Sequence, residues 1–199
     1  MAKLYFYYGT MGSSKTANLL IQANSFEERG IPFICLKPSL DTRDGNYIKS
    51  RVGIQRECAF IETDTDLFKA IQTYDTILRA NSSKHLQWVL IDESQFLLKN
   101  QIDDLAKVVD ELNINVCCYG LRTDFKTQSF EGSKRLFELA DDLIEIKSTC
   151  SCGRKTIVNA RINEKGEIIK DGEAIEIEGK TKYISICRKC YNNMLREKN

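Results

Sequence analysis

The sequence predicts an α/β fold in which helices cover both faces of a mostly parallel sheet, followed by a small β-rich domain. Short apolar segments alternate with helical patterns up to residue 149, which is the order expected for a doubly wound sheet. A glycine-rich segment follows the first apolar run and opens the first helical pattern. After Cys150, polar and apolar residues alternate between turn sequences, as they do in short antiparallel strands.

The predicted sheet contains about five strands, with helices as the crossovers between them. Apolar runs predict strands at residues 3–8, 31–37, 88–91, 114–119 and 143–147. Apolar residues at helical spacing predict helices at residues 16–29, 67–80, 102–112 and 133–140. We therefore expect an α/β domain over residues 1–149, a smaller domain over residues 150–192 and a tail over residues 193–199.

Composition excludes some classes of function. The 199 residues carry a net charge of +1, so no overall field draws the chain to nucleic acid or to an anionic membrane. The N-terminal apolar run is too short for a signal peptide, and no run reaches the roughly 20 apolar residues of a spanning helix. We predict a cytoplasmic protein without membrane or nucleic-acid partners. In that compartment its eight cysteines indicate metal binding or burial rather than disulfides.

The glycine-rich segment is a candidate phosphate-binding loop. It matches the Walker A pattern except at one position, where serine replaces the glycine before the lysine. In such a loop Lys15 reaches the β- and γ-phosphates of ATP, and the Thr16 hydroxyl holds Mg²⁺. On the motif alone a capped helix start is the alternative, because Ser13 and Ser14 are both good N-cap residues. The candidate ATP-binding residues are Gly9, Thr10, Met11, Gly12, Ser13, Ser14, Lys15 and Thr16.

Two adjacent carboxylates follow the apolar strand at residues 88–91. Ligands bind at the carboxyl edge of a parallel sheet, so Asp92 and Glu93 resemble a Walker B element. One carboxylate can serve Mg²⁺ through water, and the other can take a proton from an attacking hydroxyl. A solvated strand end is the alternative on this segment alone. Together with the phosphate loop, the pair predicts a fold like that of the P-loop NTPases and binding of ATP with Mg²⁺.

Four cysteines form two close pairs near the C-terminus. Cys150 and Cys152 are separated from Cys187 and Cys190 by 34 residues. Four thiolates make a closed tetrahedral zinc site without an open position for catalysis. Redox-active pairs are the alternative, but the thioredoxin-like setting that they need is absent. The sequence therefore predicts structural Zn²⁺ in a ribbon-like domain at residues 150–192.

Taken in order, the motifs resemble the thymidine kinases shared by bacteria and animal cytosol. The resemblance runs from Leu4 to Tyr191. It rests on the segments YFYYGTMGSSKT, LDTRDG, VLIDESQFL, CYGLRTDF, FEGSKRLFELAD, CSCGRK and GKTKYISICRKCY. The family implies transfer of the ATP γ-phosphate to the 5′-hydroxyl of thymidine or deoxyuridine, which gives dTMP for deoxynucleotide salvage. It also implies a homotetramer that is inhibited by thymidine triphosphate.

The resemblance also implies roles for individual residues. Glu93 would be the general base, Asp92 would lie with the ATP phosphates, and Asp41 would join Thr16 in the magnesium shell. Arg43 would contact the transferring phosphate. A loop of the zinc domain, roughly residues 175–185, would fold over the substrate as a lasso. The thymidine pocket would consist of Met11, Phe96, Leu121, Phe125, Phe130 and Tyr183.

Without the resemblance, several of these residues also fit purely structural roles. Arg43 is equally a turn residue, the three phenylalanines are more often core, and Tyr183 is typical of cross-strand packing. Two other functions also fit a phosphate loop: a nucleic-acid-binding ATPase that uses a zinc ribbon, and a non-catalytic nucleotide sensor. The near-neutral charge and the lack of a basic run with aromatics argue against the ATPase. The presence of Glu93 argues against a sensor, which needs no base.

Overall fold

A computed structural model of the chain describes residues 1–172 and 182–196. Within these ranges the chain forms ten strands. In chain order they are β1 (Leu4–Gly9), β2 (Phe33–Pro38), β3 (Tyr47–Lys49), β4 (Gln55–Glu57), β5 (Ala59–Ile61), β6 (Trp88–Ile91), β7 (Asn115–Leu121), β8 (Asp142–Glu145), β9 (Val158–Ile162) and β10 (Lys182–Ile186).

Five α-helices connect or follow these strands in the described ranges. They are α1 (Lys15–Glu28), α2 (Leu67–Ser82), α3 (Lys99–Leu112), α4 (Glu131–Leu139) and α5 (Arg188–Arg196), and a single 3₁₀ turn covers Ser94–Phe96. No helix in the two described ranges has the length and apolar character needed to cross a bilayer.

Six strands form one parallel sheet in the order β5-β2-β6-β7-β1-β8. Because every pair is parallel, the carboxyl ends of β1 and β6 lie at the same edge of the sheet, with β7 between them. The phosphate loop follows β1, and the two adjacent carboxylates follow β6. The sheet therefore brings together two motifs that lie far apart in the sequence.

Helices pack on both faces of this sheet, as β6 illustrates. Val89 and Ile91 belong to the apolar cluster formed with α2, α3 and α4. Leu90 belongs to the opposite cluster, where it packs with Leu19 and Phe26 of α1. Successive residues of a strand point to opposite faces, so a strand that is apolar throughout indicates burial on both sides. The predicted fold class is confirmed.

The predicted and observed elements differ mainly in three short strands between β2 and α2: β5 at the edge of the sheet, and the separate antiparallel pair of β3 and β4. All five predicted strands and all four predicted helices are present with shifts of a few residues. The sequence did not predict β3, β4 or β5. Each has three residues, which is too short to display a period, and at least two residues of each strand are exposed or partly exposed.

The C-terminal part has its own small apolar cluster. Strands β9 and β10 pair in antiparallel fashion, and Val158, Ala160 and Ile186 are buried with Cys150 and Cys187. The division at residue 149 stays a prediction. Helix α5 continues to Arg196, beyond the boundary predicted at residue 192. Of the predicted lasso at residues 175–185, only residues 182–185 are described, and residues 197–199 of the predicted tail also lie outside the described ranges.

Candidate active site

A cavity of about 560 Å³ lies at the carboxyl edge of the sheet. The phosphate loop, the residues after β6 and the loop after β7 all contribute to its walls. Five of the eight predicted loop residues line it, namely Met11, Gly12, Ser14, Lys15 and Thr16. So do the four predicted charged residues Asp41, Arg43, Asp92 and Glu93 and the six predicted pocket residues Met11, Phe96, Leu121, Phe125, Phe130 and Tyr183.

Lys15 lies folded within the phosphate loop. Its Nζ donates to the carbonyl of Thr10 at 2.8 Å, and the carbonyl of Gly9 and the Ser13 Oγ are each 3.5 Å away. Burial lowers the pKa of the Lys15 ammonium, and the charges of Glu93 and Asp92 oppose that shift. The charges of the two carboxylates after β6 act on the ammonium, and the loop carbonyls accept its hydrogen bonds. A lysine ammonium in a glycine-rich loop at a helix N-terminus is suited to bind a polyphosphate.

Three of the predicted loop residues lie outside the cavity wall and shape the loop from behind. A Cβ at Gly9 would lie 2.5 Å from the carbonyl oxygen of Ile146 and 2.5 Å from the Ser13 Oγ. The first obstacle is backbone and cannot rotate away, so only glycine fits here. Thr10 and Ser13 are buried, and the Ser13 N–H donates to the Thr10 carbonyl at 3.2 Å. These contacts set the turn between β1 and α1.

Ser14 occupies the motif's glycine position with a left-handed backbone. Its φ is 65° and its ψ is 25°, a region that glycine adopts without penalty and other residues reach at a cost of about 1 kcal/mol or more. As the N-cap of α1 it makes no side-chain capping hydrogen bond. Glycine is therefore preferred at this position because of the backbone angle, and not only because a Cβ would crowd the phosphates. The capped-helix alternative lacks the hydrogen bond that defines it.

Arg43 bridges two carboxylates at the opposite wall. Its Nε donates to Asp41 Oδ1 at 2.6 Å, and its Nη2 donates to Glu93 Oε1 at 2.7 Å. Burial acts to raise the pKa of Asp41, but the hydrogen bond and charge of Arg43 and the charge of Lys37 outweigh it and hold the pKa below its usual value. Asp41 is thus an anion in the folded protein. The alternative of Arg43 as a local turn residue does not account for its bond to Glu93, fifty positions away.

Glu93 is held in place by its backbone and by Gln95. Its φ of 50° and ψ of 35° are left-handed, an uncommon conformation for glutamate that turns the chain sharply after β6. Gln95 Nε2 donates to Glu93 Oε2 at 2.6 Å, while Gln95 Oε1 accepts from the Leu121 N–H at 2.9 Å. Since Arg43 binds the other oxygen, both carboxylate oxygens of Glu93 are oriented by hydrogen bonds.

Asp92 is buried next to Glu93 at the end of β6. Burial raises its pKa, the negative charge of Glu93 raises it further, and a hydrogen bond with the Thr16 side chain partly opposes both. The effect of Thr16 on the pKa of Asp92 indicates that the first turn of α1 lies beside the acidic pair. Thr16 and Asp92 both line the cavity, and hydroxyl and carboxylate oxygens are the ligands that Mg²⁺ prefers.

The apolar end of the cavity is built from aromatic rings. Phe96 and Phe130 meet edge to face, with ring centroids 5.8 Å apart and an angle of 85° between their planes. The guanidinium of Arg161 lies over the Phe125 ring, with its central carbon 5.1 Å from the centroid. Tyr183 comes from β10, where it is paired with Arg161 of β9. An aromatic-lined recess next to a phosphate site suits a flat, uncharged base.

Several residues of the site were not predicted from the sequence. Buried Lys37 donates from Nζ to the Tyr47 carbonyl at 3.0 Å and lies 3.8 Å from Asp41 Oδ2. A terminal nitrogen of Arg51, on the turn after β3, lies 3.6 Å from the point where Gly12 would carry a Cβ. Gln95, Asn159 and Thr123 also line the cavity. Gln95 and Thr123 lie within motifs that carry the family resemblance, whereas no local signal marks the others.

The four predicted zinc ligands converge at the C-terminal part of the chain. Their sulfur atoms all lie within 4.8 Å of one another, and Cys152 Sγ and Cys187 Sγ are 3.5 Å apart. Four thiolates around one zinc ion would lie about 3.8 Å apart. Backbone N–H groups of Cys152 and Cys187 lower the pKa of Cys150. Both the spacing and the stabilised thiolate fit a four-sulfur metal centre.

This fold and this site define a P-loop enzyme of the nucleotide-binding, phosphate-transferring class. The family model for thymidine kinase matches residues 2–191. The chain therefore belongs to the thymidine kinase family, and the predicted enzyme class is confirmed.

Named relatives agree with the family over nearly the whole chain. A thymidine kinase of Mannheimia succiniciproducens is 44% identical over 189 residues, which cover 94% of each chain. A thymidine kinase of enterobacteria phage T4 is 42% identical over 198 residues, which cover 99% of each chain. A thymidine kinase of Zymomonas mobilis is 44% identical over 191 residues and 95% of each chain. Among solved structures, the match to the Pif1 helicase of Candida albicans covers 74% of this chain and 36% of that chain, with 14% identity and a TM-score of 0.42.

Proposed function

We propose that this enzyme transfers the γ-phosphate of ATP to the 5′-hydroxyl of thymidine, and also of deoxyuridine, to give the nucleoside monophosphate and ADP. The observation that supports it best is the cavity of about 560 Å³, which joins the phosphate loop to the aromatic recess and has Glu93 in its wall. A polyphosphate and a nucleoside can therefore enter one continuous space. Phosphoryl transfer depends mainly on such positioning and on charge stabilisation.

Glu93 and Arg43 are proposed to act on the reacting groups. Glu93 takes the proton of the 5′-hydroxyl, the oxygen attacks the γ-phosphorus, and the bond to the ADP oxygen breaks. The hydrogen bond from Gln95 aims the Glu93 carboxylate. Arg43, which is 48% exposed in its side chain, is free to turn from Glu93 toward the developing charge on the phosphate.

The residues at the other wall are proposed to hold the nucleotide. Lys15 and the loop N–H groups bind the phosphates, and Asp92 lies with Thr16 in the wall of the cavity. Thr16 and Asp41 would hold Mg²⁺, which when bound neutralises charge between the β- and γ-phosphates. The depressed pKa of Asp41 keeps its carboxylate available for such a cation. Met11, Leu121 and the three phenylalanines would surround the base, with Tyr183 closing the pocket from β10.

Zinc is proposed as a structural ion in the four-cysteine centre. The sulfur spacing favours zinc, and a closed set of four thiolates leaves no position for substrate.

The family resemblance supports four further proposals: a lasso at residues 175–185, a homotetramer, inhibition by thymidine triphosphate and a cytoplasmic location. Light scattering of the purified enzyme would measure the assembly, and a titration with thymidine triphosphate would measure the inhibition.

The central test is direct. The purified protein is incubated with ATP, Mg²⁺ and thymidine, and thymidine monophosphate is quantified by chromatography. We expect product with the wild type and with Glu28→Gln, an exposed glutamate of α1 outside the cavity wall. We expect Glu93→Gln to bind ATP normally and to lose turnover. Absence of product from the wild type at millimolar thymidine would refute the proposal, and full activity of Glu93→Gln would refute the base assignment.

The alternative of a nucleic-acid-binding ATPase is not favoured by the three relatives described above, which carry the same enzyme name. The same purified protein can be assayed for this alternative function. ATP hydrolysis that rises on addition of single-stranded DNA, without phosphorylation of thymidine, would support the alternative.

A further inference from the structure

Both backbone polar groups of Met11 are held by side chains from the C-terminal part of the chain. The Met11 N–H donates to Asn159 Oδ1 at 2.8 Å. The Met11 carbonyl accepts from Ser185 Oγ at 2.6 Å. Asn159 lies on β9 and Ser185 lies opposite it on β10. The middle of the phosphate loop is thus fixed from outside by a strand pair, and Asn159 lies 148 positions after the residue that it holds.

Asn159 also reaches the nucleoside end of the cavity. Its Nδ2 donates to the Thr123 carbonyl at 3.1 Å, in the loop after β7 that carries Phe125. Asn159 is only 2% exposed, so water cannot replace either bond. One buried amide therefore spans the loop that binds phosphate and the loop that lines the base pocket. Ser185 contacts the phosphate side, because its hydroxyl donates to the Met11 carbonyl and its other neighbour is Asn159 Oδ1, at 3.5 Å.

The phosphate loop needs such external support. Gly9 and Gly12 flank its middle, and glycine has more backbone freedom than any other residue. A loop with several open conformers binds ligand less tightly, because the apparent affinity falls with the fraction in the binding conformation. Hydrogen bonds that fix Met11 raise this fraction before ATP arrives. The same amide fixes Thr123, so its loss would loosen both ends of the cavity.

We propose that Asn159 is a positioning residue that couples the phosphate and nucleoside halves of the site, with Ser185 as its partner on the phosphate side. The inference rests on the proposed function for its nucleoside half only. Asn159 touches no reacting atom. It acts through Met11 and Thr123, and its effect is on the binding of both substrates.

The test compares three alanine variants. Asn159→Ala loses the bonds to Met11 and Thr123, and Ser185→Ala loses the bond to the Met11 carbonyl. Lys155→Ala is the control, because Lys155 Nζ joins the same part of the chain to Glu145 at 2.8 Å without touching the phosphate loop. Dissociation constants for ATP and for thymidine are measured by calorimetry on the zinc-loaded protein, with KM, kcat and the melting temperature alongside.

We expect Asn159→Ala to raise the dissociation constants for ATP and for thymidine by about tenfold each, the effect of one lost hydrogen bond on each substrate. Ser185→Ala should raise the dissociation constant for ATP by a similar factor and that for thymidine by less than about threefold. Ser185→Thr, which keeps the hydroxyl, should restore ATP binding. Lys155→Ala should leave both constants within about twofold of the wild type, as expected for an exposed ion pair.

Two outcomes would overturn the proposal. One is ATP and thymidine binding within about twofold of the wild type in both Asn159→Ala and Ser185→Ala. The other is equal weakening in Lys155→Ala, which would indicate general loosening of the C-terminal part. If Asn159→Ala does not fold, the comparison of Ser185→Ala with Ser185→Thr still tests whether the hold on Met11 supports ATP binding. Failure of the wild type to bind thymidine would refute the proposed function, whereas the ATP constants would still test the hold on Met11.

Discussion

Arg43 and Glu93 form a hydrogen-bonded ion pair across the mouth of the cavity, with Nη2 and Oε1 2.7 Å apart. The same guanidinium is bound to Asp41 at 2.6 Å, so one side chain connects the proposed base to a proposed magnesium ligand. In this arrangement Arg43 neutralises carboxylates that would otherwise repel a polyphosphate. In the proposed reaction the guanidinium compensates the charge that develops on the transferring phosphate.

Replacing Arg43 should therefore reduce the rate more than the stability. We expect Arg43→Gln to lower kcat by about 100-fold or more, as loss of a preorganised donor to transition-state charge does. The Arg43 side chain is 48% exposed, and Lys37 stays 3.8 Å from the Asp41 carboxylate, so the melting temperature should change by no more than a few degrees. Steady-state kinetics and thermal denaturation are the measurements.

A matched control for this change is Arg135→Gln. Arg135 also bridges two carboxylates, Asp103 at 2.6 Å and Glu138 at 2.9 Å, but it is not part of the cavity wall. Its kcat should equal that of the wild type. A kcat for Arg43→Gln within about threefold of this control would exclude a role for Arg43 in the transition state.

Replacement of Ser14 by glycine should stabilise the protein, because the left-handed backbone at this position suits glycine better than serine. Release of the strain at φ 65° stabilises Ser14→Gly, and the greater freedom of glycine in the unfolded chain offsets part of that gain. We expect a net gain of up to about 1 kcal/mol in the free energy of unfolding, or about 2–4 °C in melting temperature. Since Ser14 lines the cavity, the KM for ATP should fall as well.

Ser83 provides the comparison for Ser14. It ends α2 with a left-handed φ of 56° and lies outside the cavity wall. Ser83→Gly should give a similar gain in melting temperature with an unchanged KM for ATP. A higher KM for ATP in Ser14→Gly would contradict the strain argument and would indicate that the Ser14 hydroxyl itself binds nucleotide.

The phosphate loop illustrates how far the sequence could predict this site. The pattern around Lys15 located the loop, and the adjacent carboxylates located the opposite wall, because both are local motifs at strand ends. The pattern also marked Ser14 as anomalous. It could not identify the left-handed backbone as a cause, since a backbone angle is set by the path of the chain between β1 and α1.

Residues that reach the site from a distance could not be predicted from local patterns. Asn159 lies in an alternating segment of β9, where a buried polar residue has no local signal, and its partners precede it by 36 and 148 positions. Lys37 lies near the end of β2 and looks like an ordinary solvated strand end, although it is only 1% exposed. Register and topology, which single-sequence patterns do not give, bring both residues to the cavity.

Gln95 should matter for catalysis through the orientation of Glu93. Gln95→Leu keeps the volume but removes the donor to Glu93 Oε2 and the acceptor for the Leu121 N–H. We expect kcat to fall by about 10- to 100-fold, because small misplacements of a reacting group carry such penalties. The KM for ATP should change little, since the Gln95 amide is directed to Glu93 and Leu121 rather than to the phosphate loop.

Gln101 separates this effect from simple loss of stability. It is equally buried at 2% exposure and also uses both ends of its amide, with the Glu62 carbonyl at 2.9 Å and the Leu98 N–H at 3.1 Å. Gln101→Leu should lower the melting temperature by a comparable amount and leave kcat per folded molecule unchanged. Equal kcat values for the two variants would assign Gln95 a purely structural role.

The four-cysteine centre should hold one zinc ion whose loss disorders the C-terminal part. Metal binding to thiolates requires deprotonated sulfur, so zinc affinity should fall as pH falls and protons compete for the four ligands. We expect one zinc per chain by elemental analysis at neutral pH, and loss of that zinc in Cys187→Ser. Because Cys187 is buried in the small apolar cluster with Val158 and Ile186, the amides of β9 and β10 should then exchange faster with solvent.

The control for this variant is Cys58→Ser, at a cysteine outside the four-cysteine centre, which should keep its zinc and its exchange protection. Full zinc content in Cys187→Ser, or protected β9 amides after chelation, would show that the ion does not stabilise this part of the fold.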